Sequence, residues 1–465
     1  MDESFEQEDL EIQELINNFE EKTKDGDNVF FDVDEFELII DYYLDSYLLD
    51  KCNKAIDMAV SQHPSNISFL LKKARLLISS NKAEKALELL TEIEKIEPTN
   101  ADIFITKGSI YSQLKHYNKA IEEYNKAIND AEDINEVYGN IAFEYENMGN
   151  YNKAIEYLQK VLKLDPSNDS ALYEITFCYE ISSQTEKGIE FLQDFIDRKP
   201  YSKIAWFNLG VLFSNIGFYE KSIEAFDYSI AIDEFFDSAY FNKANSLANL
   251  DRYREAIEVY NDTLEISDDD AITFYYIGEC YEKLDEYENA KDYYSRTLEL
   301  DNDFADAWMG LGIANDELGL TSNAIKNMEK ALSIDNNNPE YWYILGDIQE
   351  REEMFEYALE SYKKVTELEP TNPEIWLDYS EIIEKSNIDE AIEILDEALN
   401  KQAENILLHY RYSIYLYKQG KIKSAYKKLE ECLQKDFSKH EEIFDYMPEL
   451  KNDDTIVQLI ESYSS

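Results

Sequence analysis

The chain has 465 residues, with 44 Lys and Arg against 99 Asp and Glu, and a formal net charge of −55. A surface this acidic argues against direct binding to nucleic acid or to anionic membranes, because both carry negative charge themselves. It favours basic proteins or peptides as partners, since their fields are complementary. The alternative interpretation is that the charge serves only to keep the protein soluble.

Signals for export or membrane insertion are missing from the sequence. The first fifteen residues, MDESFEQEDLEIQEL, have neither the basic nor the apolar segment of a secretory signal. No apolar run approaches the roughly 20 residues that a membrane-spanning helix needs. The isolated cysteines predict reduced core residues, and we therefore expect a cytoplasmic protein; they are Cys52, Cys178, Cys280 and Cys432.

Residues 1–35 form an N-terminal tail that is strongly acidic at its start. Within it Ile12, Leu15, Ile16 and Phe19 recur at spacings of three and four, which predicts a short amphipathic helix. Two interpretations stay open. The helix covers the first structural repeat as a cap, or it docks on a partner or in the protein's own groove.

The rest of the chain repeats one helical pattern, seen clearly in NYNKAIEYLQKVLKLDPSN at residues 150–168. The small residue Ala154 begins an apolar stripe on one helix face, and Pro166 ends the helix. Small residues recur at intervals of 34 on both sides of Ala154, and the step shortens once near each end of the series, so twelve units can be counted. These anchor residues are Ala55, Ala86, Ala120, Ala154, Gly188, Ser222, Ala256, Ala290, Ala324, Ala358, Ala391 and Ala425.

Other positions keep the same register around the anchor. A second small residue usually stands twelve residues before it and an aromatic residue sixteen before it, as in Gly278 and Phe274. A turn between two helices is predicted five residues before the anchor, where a left-handed backbone suits glycine. The glycines at that position are Gly149, Gly217, Gly319 and Gly420.

The segments AWFNLGVLFSNIGFYEKSIEAF from Ala205 and YWYILGDIQEREEMFEYALESYKKVTELEP from Tyr341 resemble the tetratricopeptide repeat family, and the likeness extends over nearly the whole chain. The resemblance implies an all-α protein of the multi-repeat bacterial type, an α-solenoid wound as a right-handed superhelix of about twelve helix pairs with terminal capping helices. We place the solenoid at 36–439 and C-terminal capping helices at 440–465. The predicted repeats are 36–66, 67–100, 101–134, 135–168, 169–202, 203–236, 237–270, 271–304, 305–338, 339–372, 373–405 and 406–439.

Catalytic and metal-binding motifs are not apparent. Gly310 and Gly312 resemble the start of a dinucleotide fingerprint, but no strand precedes them and no third glycine follows at the required spacing. The four histidines are scattered, and none has a second ligand at zinc-binding spacing. We therefore expect a protein that is not an enzyme and that carries no cofactor or metal.

The resemblance also implies that the first helix of each pair lines a concave groove. Aromatic residues in the groove supply contact area, asparagines can pair with a peptide backbone, and acids select Lys or Arg. The alternative is that these residues only follow the packing pattern of the repeat. The candidate partner-binding residues are Asn140, Tyr173, Phe207, Asn208, Phe241, Asn242, Asn245, Tyr275, Glu279, Asp316, Tyr343 and Asp347.

The sequence thus predicts a protein-protein interaction scaffold or adaptor that binds a peptide or a basic protein surface in the groove. One alternative is a chaperone-like holder of basic or unassembled proteins, whose binding is broad and sensitive to salt. Another is self-association through the edges or ends of the solenoid.

Overall fold

The structure is a computed structural model that describes residues 2–24, 29–80, 82–267 and 270–463, without the side chains of residues 2–11, 24 and 79. Residues 25–28 of the predicted tail and the last two residues of the predicted C-terminal cap lie outside this description. The described residues form helices and connecting turns, without a β-strand. They divide into two compact units, Met1–Glu234 and Phe235–Ser465.

In the first unit a long helix, α1 (Asp2–Lys24), precedes six helix pairs. The pairs are α2 (Val33–Asp45) with α3 (Leu49–Gln62), α4 (Ile67–Ser79) with α5 (Ala83–Ile96), α6 (Ala101–Gln113) with α7 (Tyr117–Ala127), α8 (Ile134–Asn147) with α9 (Tyr151–Leu164), α10 (Asp169–Ile181) with α11 (Thr185–Arg198), and α12 (Lys203–Asn215) with α13 (Tyr219–Ile232).

The second unit contains six further pairs, followed by short helices. The pairs are α14 (Asp237–Ala248) with α15 (Tyr253–Ile266), α16 (Ala271–Lys283) with α17 (Tyr287–Leu300), α18 (Ala305–Glu317) with α19 (Thr321–Ile334), α20 (Pro339–Arg351) with α21 (Phe355–Leu368), α22 (Pro373–Glu384) with α23 (Ile388–Lys401), and α24 (Ile406–Lys418) with α25 (Ile422–Lys435). The short helices are α26 (Glu442–Tyr446) and α27 (Asp454–Glu461).

In ten of the described pairs one residue in the left-handed conformation makes the turn, and four of these residues are the glycines for which the sequence predicted it. Gly217 has φ +76° and Gly319 has φ +73°. Several other pairs hold a non-glycine residue at the same position, such as Asp251 at +57° and Glu353 at +58°. Since a side chain makes this conformation unfavourable, the packing of the two helices must enforce it there.

Small residues on the first helices make room for large rings from the second helices. Tyr294 on α17 is fully buried between Gly278 on α16 and Gly310 on α18. A Cβ atom added at Gly278 would lie 2.7 Å from the Tyr294 ring, and one at Gly310 would lie 2.5 Å from it. These two glycines therefore fix how closely the helices of neighbouring pairs approach.

Helices at both ends of the chain pack on the neighbouring pair of their own unit. On α1, Ile16 and Phe19 are buried against Phe36 and Tyr43 of α2. In the second unit, Ile456 and Ile460 of α27 join the core beneath α25 in the same way. The all-α stack of helix pairs is confirmed, whereas the repeat boundaries and the right-handed winding stay predictions.

Candidate functional site

The first helices of successive pairs lie side by side within each unit. In the first unit α4 contacts α6 and α10 contacts α12, and in the second unit α16, α18 and α20 contact one another in turn. We call the exposed side of these helices the first-helix face, and each unit has its own. All the predicted site residues lie on first helices.

Asn140 is half-buried on α8 of the first unit and lines a polar cleft of about 480 Å³. Arg75, Thr106 and Glu136 line the same cleft, so both charges and several neutral hydrogen-bonding groups are present. The Thr106 hydroxyl is buried and has no hydrogen-bond partner there. Asn140 is thus placed where a peptide could reach it.

Tyr173 and Phe207, two of the predicted groove residues, contact each other. The Tyr173 ring on α10 meets the Phe207 ring on α12 edge-on, with their centroids 6.1 Å apart. Phe207 also contacts Phe226 of α13 at 5.7 Å. Tyr173 keeps a large exposed surface, while Phe207 is partly enclosed.

Asn208 requires a correction. Its side chain is only 2% exposed, and its amide nitrogen donates to the Leu172 carbonyl oxygen at 2.9 Å. The expected peptide-binding amide instead joins α12 to the backbone of α10. The sequence could not reveal this, because the partner is a main-chain group 36 residues away.

Two exposed aromatic residues of the first unit were missed. Phe143 on α8 and Phe177 on α10 each stand eleven residues before their anchor, and about half of each side chain is exposed. The sequence could have identified them, because Asn245, Glu279 and Asp347 occupy the same repeat position and are among the predicted partner-binding residues.

In the second unit, Phe241 packs edge-on against Tyr260 and Tyr276, with ring centroids 5.7 and 5.6 Å away. The two asparagines beside it already have partners within the fold. The Asn242 amide donates to the Ser238 carbonyl oxygen at 2.8 Å, and the Asn245 side-chain oxygen accepts from the Tyr260 hydroxyl. Their role is therefore at least partly structural.

Tyr275 and Glu279 form one polar and aromatic cluster on α16. The Tyr275 ring stacks on Phe304 with centroids 4.9 Å apart, and its hydroxyl donates to Glu279 Oε1 at 3.0 Å. Burial raises the pKa of the Glu279 carboxyl above its ordinary value, although the bond from Tyr275 lowers it. This carboxylate would gain from a cation beside it.

Three ion pairs cross between successive first helices of the second unit. Their acids lie at one repeat position, 34 residues apart, and each receives a cation from the next first helix. We call these the ion-pair series: Asp316 with Arg351, Glu350 with Lys385 at 2.9 Å, and Glu384 with Lys418 at 3.1 Å. Asp316 was predicted to face a partner, but Arg351 already neutralises it within the fold.

One repeat before the ion-pair series, an acidic residue occupies the position that holds the cation in the series. Glu282 on α16 is equivalent to Asp316, yet Glu317 on α18 occupies the place of Arg351. We call Glu282 with Glu317 the cation-free position, because neither forms an ion pair within the described residues. Glu282 accepts a hydrogen bond from the Tyr294 hydroxyl at 2.8 Å, and burial raises the pKa of its carboxyl.

Tyr343 and Asp347 extend this face on α20. The Tyr343 hydroxyl donates to Asp378 Oδ2 at 3.1 Å, and burial raises the pKa of the Asp378 carboxyl. Asp347 is exposed, with the Tyr362 hydroxyl 3.4 Å from its Oδ1 atom. Asp347 is thus accessible to a partner, whereas the Tyr343 hydroxyl is engaged.

The described residues contain no group of three or more His, Cys, Asp and Glu side chains that could hold a metal ion. The four cysteine thiols are buried and form no disulfide. Among the described helices, none is both long and apolar enough to cross a bilayer.

Stacked helix pairs with one face of first helices in each unit define a helical-repeat protein. Models of the tetratricopeptide repeat match six segments of the chain, so the chain contains repeats of that family. The segments are 136–168 and 271–304 for one model, and 101–129, 237–270, 305–338 and 339–372 for a second. No curated protein matches the chain.

Solved structures with a similar fold include YrrB, described as a TPR protein with an unusual peptide-binding site, at 21% identity over 40% of this chain and 95% of that one, with a TM-score of 0.34. The APC/C hetero-tetramer Cut9–Hcn1 is 15% identical over 82% of this chain and 89% of that one, with a TM-score of 0.41. MamA 41-end from Desulfovibrio magneticus RS-1 is 22% identical over 37% and 96%, with a TM-score of 0.35.

Proposed function

We propose that the protein is a non-enzymatic cytoplasmic scaffold or adaptor that binds a basic segment of a partner protein on the first-helix face of its second unit. The observation that carries the proposal is the cation-free position. Three successive acids in the ion-pair series each have a cation from the next helix, and the equivalent Glu282 has Glu317 instead.

A Lys or Arg side chain from a partner would complete the series at this position. Glu282 and Glu279 both lie on α16 and are partly buried, and burial raises the pKa of both carboxyls, while the charge of the exposed Lys283 on the same helix partly offsets this. A guanidinium group can donate to two carboxylates at once, which makes Arg the better occupant. Tyr275 next to Glu279 offers a ring edge and a hydroxyl to the same segment.

The chaperone-like holder stays the second candidate, and the overall charge of −55 favours it. In that case the acidic surface as a whole attracts basic proteins, and no single position dominates. Binding would then fall steeply with salt and be nearly indifferent to the choice of acid that is changed.

The variant Glu317→Arg tests the proposal, because it supplies the missing cation from within the chain. The probe is a labelled twelve-residue peptide of Gly, Ser and two Arg, with a matched peptide in which both Arg are Gln. We expect the variant to bind the Arg peptide at least tenfold more weakly than wild type in fluorescence anisotropy, while its stability is unchanged or up to about 1 kcal/mol higher.

The matched control is Glu329→Arg, which makes the same charge change at an exposed position on the second helix α19. The proposal expects this control to stay within twofold of wild type. Equal losses in the two variants would favour the chaperone-like holder, since total charge would then determine affinity. No binding of the Arg peptide by wild type would refute the site itself.

A further inference from the structure

Part of the first-helix face of the first unit, on α8 and α10, exposes apolar side chains. Phe143 on α8 is 54% exposed, and on α10 Tyr173, Phe177 and Ile181 are 40%, 51% and 52% exposed. The three α10 residues are spaced by four and lie along one side of that helix. Together the four side chains expose roughly 400 Å² of mostly apolar surface, a size that often marks an interaction site.

These side chains lie on neighbouring first helices, and we call them the aromatic face. Cys178 on α10 donates to Glu146 Oε1 on α8 at 3.3 Å, so α8 and α10 are adjacent there. Phe143 and Phe177 occupy the same repeat position on these two helices, 34 residues apart. Tyr173 extends the patch to α12 through Phe207.

Open space lies at Gly139, one helix turn before Phe143. This glycine occupies the repeat position that Tyr173 holds on the next first helix. A Cβ atom added at Gly139 would meet no other atom within 4 Å, so the space there is open. One apolar side chain of a partner could enter this space between Phe143 and the polar cleft.

The two helices that carry the aromatic face have charges of a single sign. Helices α8 and α10 contain no Lys or Arg, and besides the buried Glu144 their acids are Glu136, Glu146, Asp169, Glu174 and Glu180. An anionic membrane, a nucleic acid or a second copy of this acidic chain would be repelled. Apolar anchors flanked by Lys or Arg would be complementary to both the patch and its rim.

We propose that the aromatic face is a second partner-binding surface, and that its occupant is an amphipathic protein segment with two or more apolar anchors flanked by Lys or Arg. The apolar side chains cover Phe143 and Phe177, and the flanking cations meet the acids of α8 and α10. The inference rests on the interaction function proposed above but uses the other unit and a different chemistry.

The test uses the full chain and a labelled 14-residue peptide of Leu and Lys patterned as an amphipathic helix. Matched peptides replace Leu by Ser or Lys by Glu. Wild type should prefer the Leu/Lys peptide to either matched peptide by at least tenfold. The double variant Phe143→Ser with Phe177→Ser should lose at least tenfold in affinity, because both anchors' contacts are removed.

The control is Phe218→Ser, since Phe218 is equally exposed (52%) but stands at the start of the second helix α13. We expect this control to bind within twofold of wild type and Phe143→Leu with Phe177→Leu to retain binding. Thermal unfolding of each variant verifies that the fold is intact. The Gly/Ser/Arg peptide, which lacks anchors, reports separately on the second unit, so failure of one surface leaves the other measurable.

Four results would overturn the inference. The double variant could bind the Leu/Lys peptide as tightly as wild type, or the Phe218 control could lose as much. Wild type could also show no preference for Leu over Ser. Finally, sedimentation could show that the double variant converts a dimer to a monomer without any change in peptide affinity, in which case the occupant is a second copy of the chain.

Discussion

The first-helix faces of the two units use the same repeat positions for different chemistry. Eleven residues before the anchor, the first unit has Phe143 and Phe177, whereas the second has Glu279 and Asp347. The helices beneath them are built alike, with a left-handed residue in the turn and a small anchor in the second helix. The repeat therefore determines where a side chain is placed on the first helix, whereas the type of residue at that place differs from one repeat to the next.

This difference implies two modes of recognition in one chain. An apolar contact gains free energy in proportion to the area removed from water and depends weakly on salt. A contact between partly exposed charges is screened, so its affinity falls as ionic strength rises. For a partner that binds both faces, the affinity would combine a part that depends strongly on salt with a part that depends weakly on it. A partner that binds one face would show only the salt dependence of that face.

The largest effect is expected from Gly310→Ala, which would disturb the helix packing of the second unit and leave the first unit unchanged. The new Cβ atom would lie 2.5 Å from the buried Tyr294 ring, and Tyr294 also donates to Glu282. We expect a loss of about 3 kcal/mol in the free energy of unfolding, since overpacking forces the ring to move. Urea denaturation measures the loss, and hydrogen exchange locates it.

The matched change in the first unit is Gly139→Ala. Since nothing lies within 4 Å of the new atom and Gly139 is inside helix α8, this change should stabilise the protein by up to about 1 kcal/mol. Similar effects of the two substitutions would contradict the role given to the close approach of Gly310 to Tyr294.

A smaller effect is expected from pH on the second unit. A cation binds the ionised carboxylates of Glu279 and Glu282, and burial holds the pKa values of both above the ordinary glutamate value. As the pH falls through these raised pKa values, the carboxylates take up protons that a bound cation would exclude. Affinity for the Gly/Ser/Arg peptide should therefore fall several-fold between pH 7 and pH 5.

The pH dependence of binding distinguishes the first-helix faces of the two units, because apolar contacts do not titrate. The loss should be smaller for the Leu/Lys peptide at the aromatic face, where only the flanking charges respond. Replacing Glu282 by Gln should reduce the pH dependence of Arg-peptide binding. An unchanged pH profile in that variant would remove Glu282 from the proposed site.

The smallest effect is expected from Glu353→Gly in the turn between α20 and α21. Glu353 holds the left-handed conformation at φ +58°, which glycine adopts without strain. The free energy of unfolding should rise by about 0.5–1 kcal/mol, with peptide affinities unchanged. The reverse change, Gly319→Ala at φ +73°, should cost about 1 kcal/mol. An altered affinity in Glu353→Gly would show that stability and binding are not separable.

Particular residues show how far the sequence could predict the site. The 34-residue register identified the first-helix positions, and Asn140, Tyr173 and Asp347 are placed where a partner could reach them. The register did not reveal that Asn208 bonds the Leu172 carbonyl or that Asp316 pairs with Arg351. These partners lie about one repeat away along the chain. Which of several polar neighbours a side chain contacts depends on the distance between the helices.

The sequence by itself determined the helix pairs, their turns and the close packing of small residues against rings. These features are local or strictly periodic, so spacing along the chain carries them. Only the tertiary structure decided which acids are neutralised, because neutralisation depends on whether a Lys or Arg side chain lies next to the carboxylate. Glu282 and Asp316 are indistinguishable by repeat position, and only the neighbouring helix gives one an arginine and the other a glutamate.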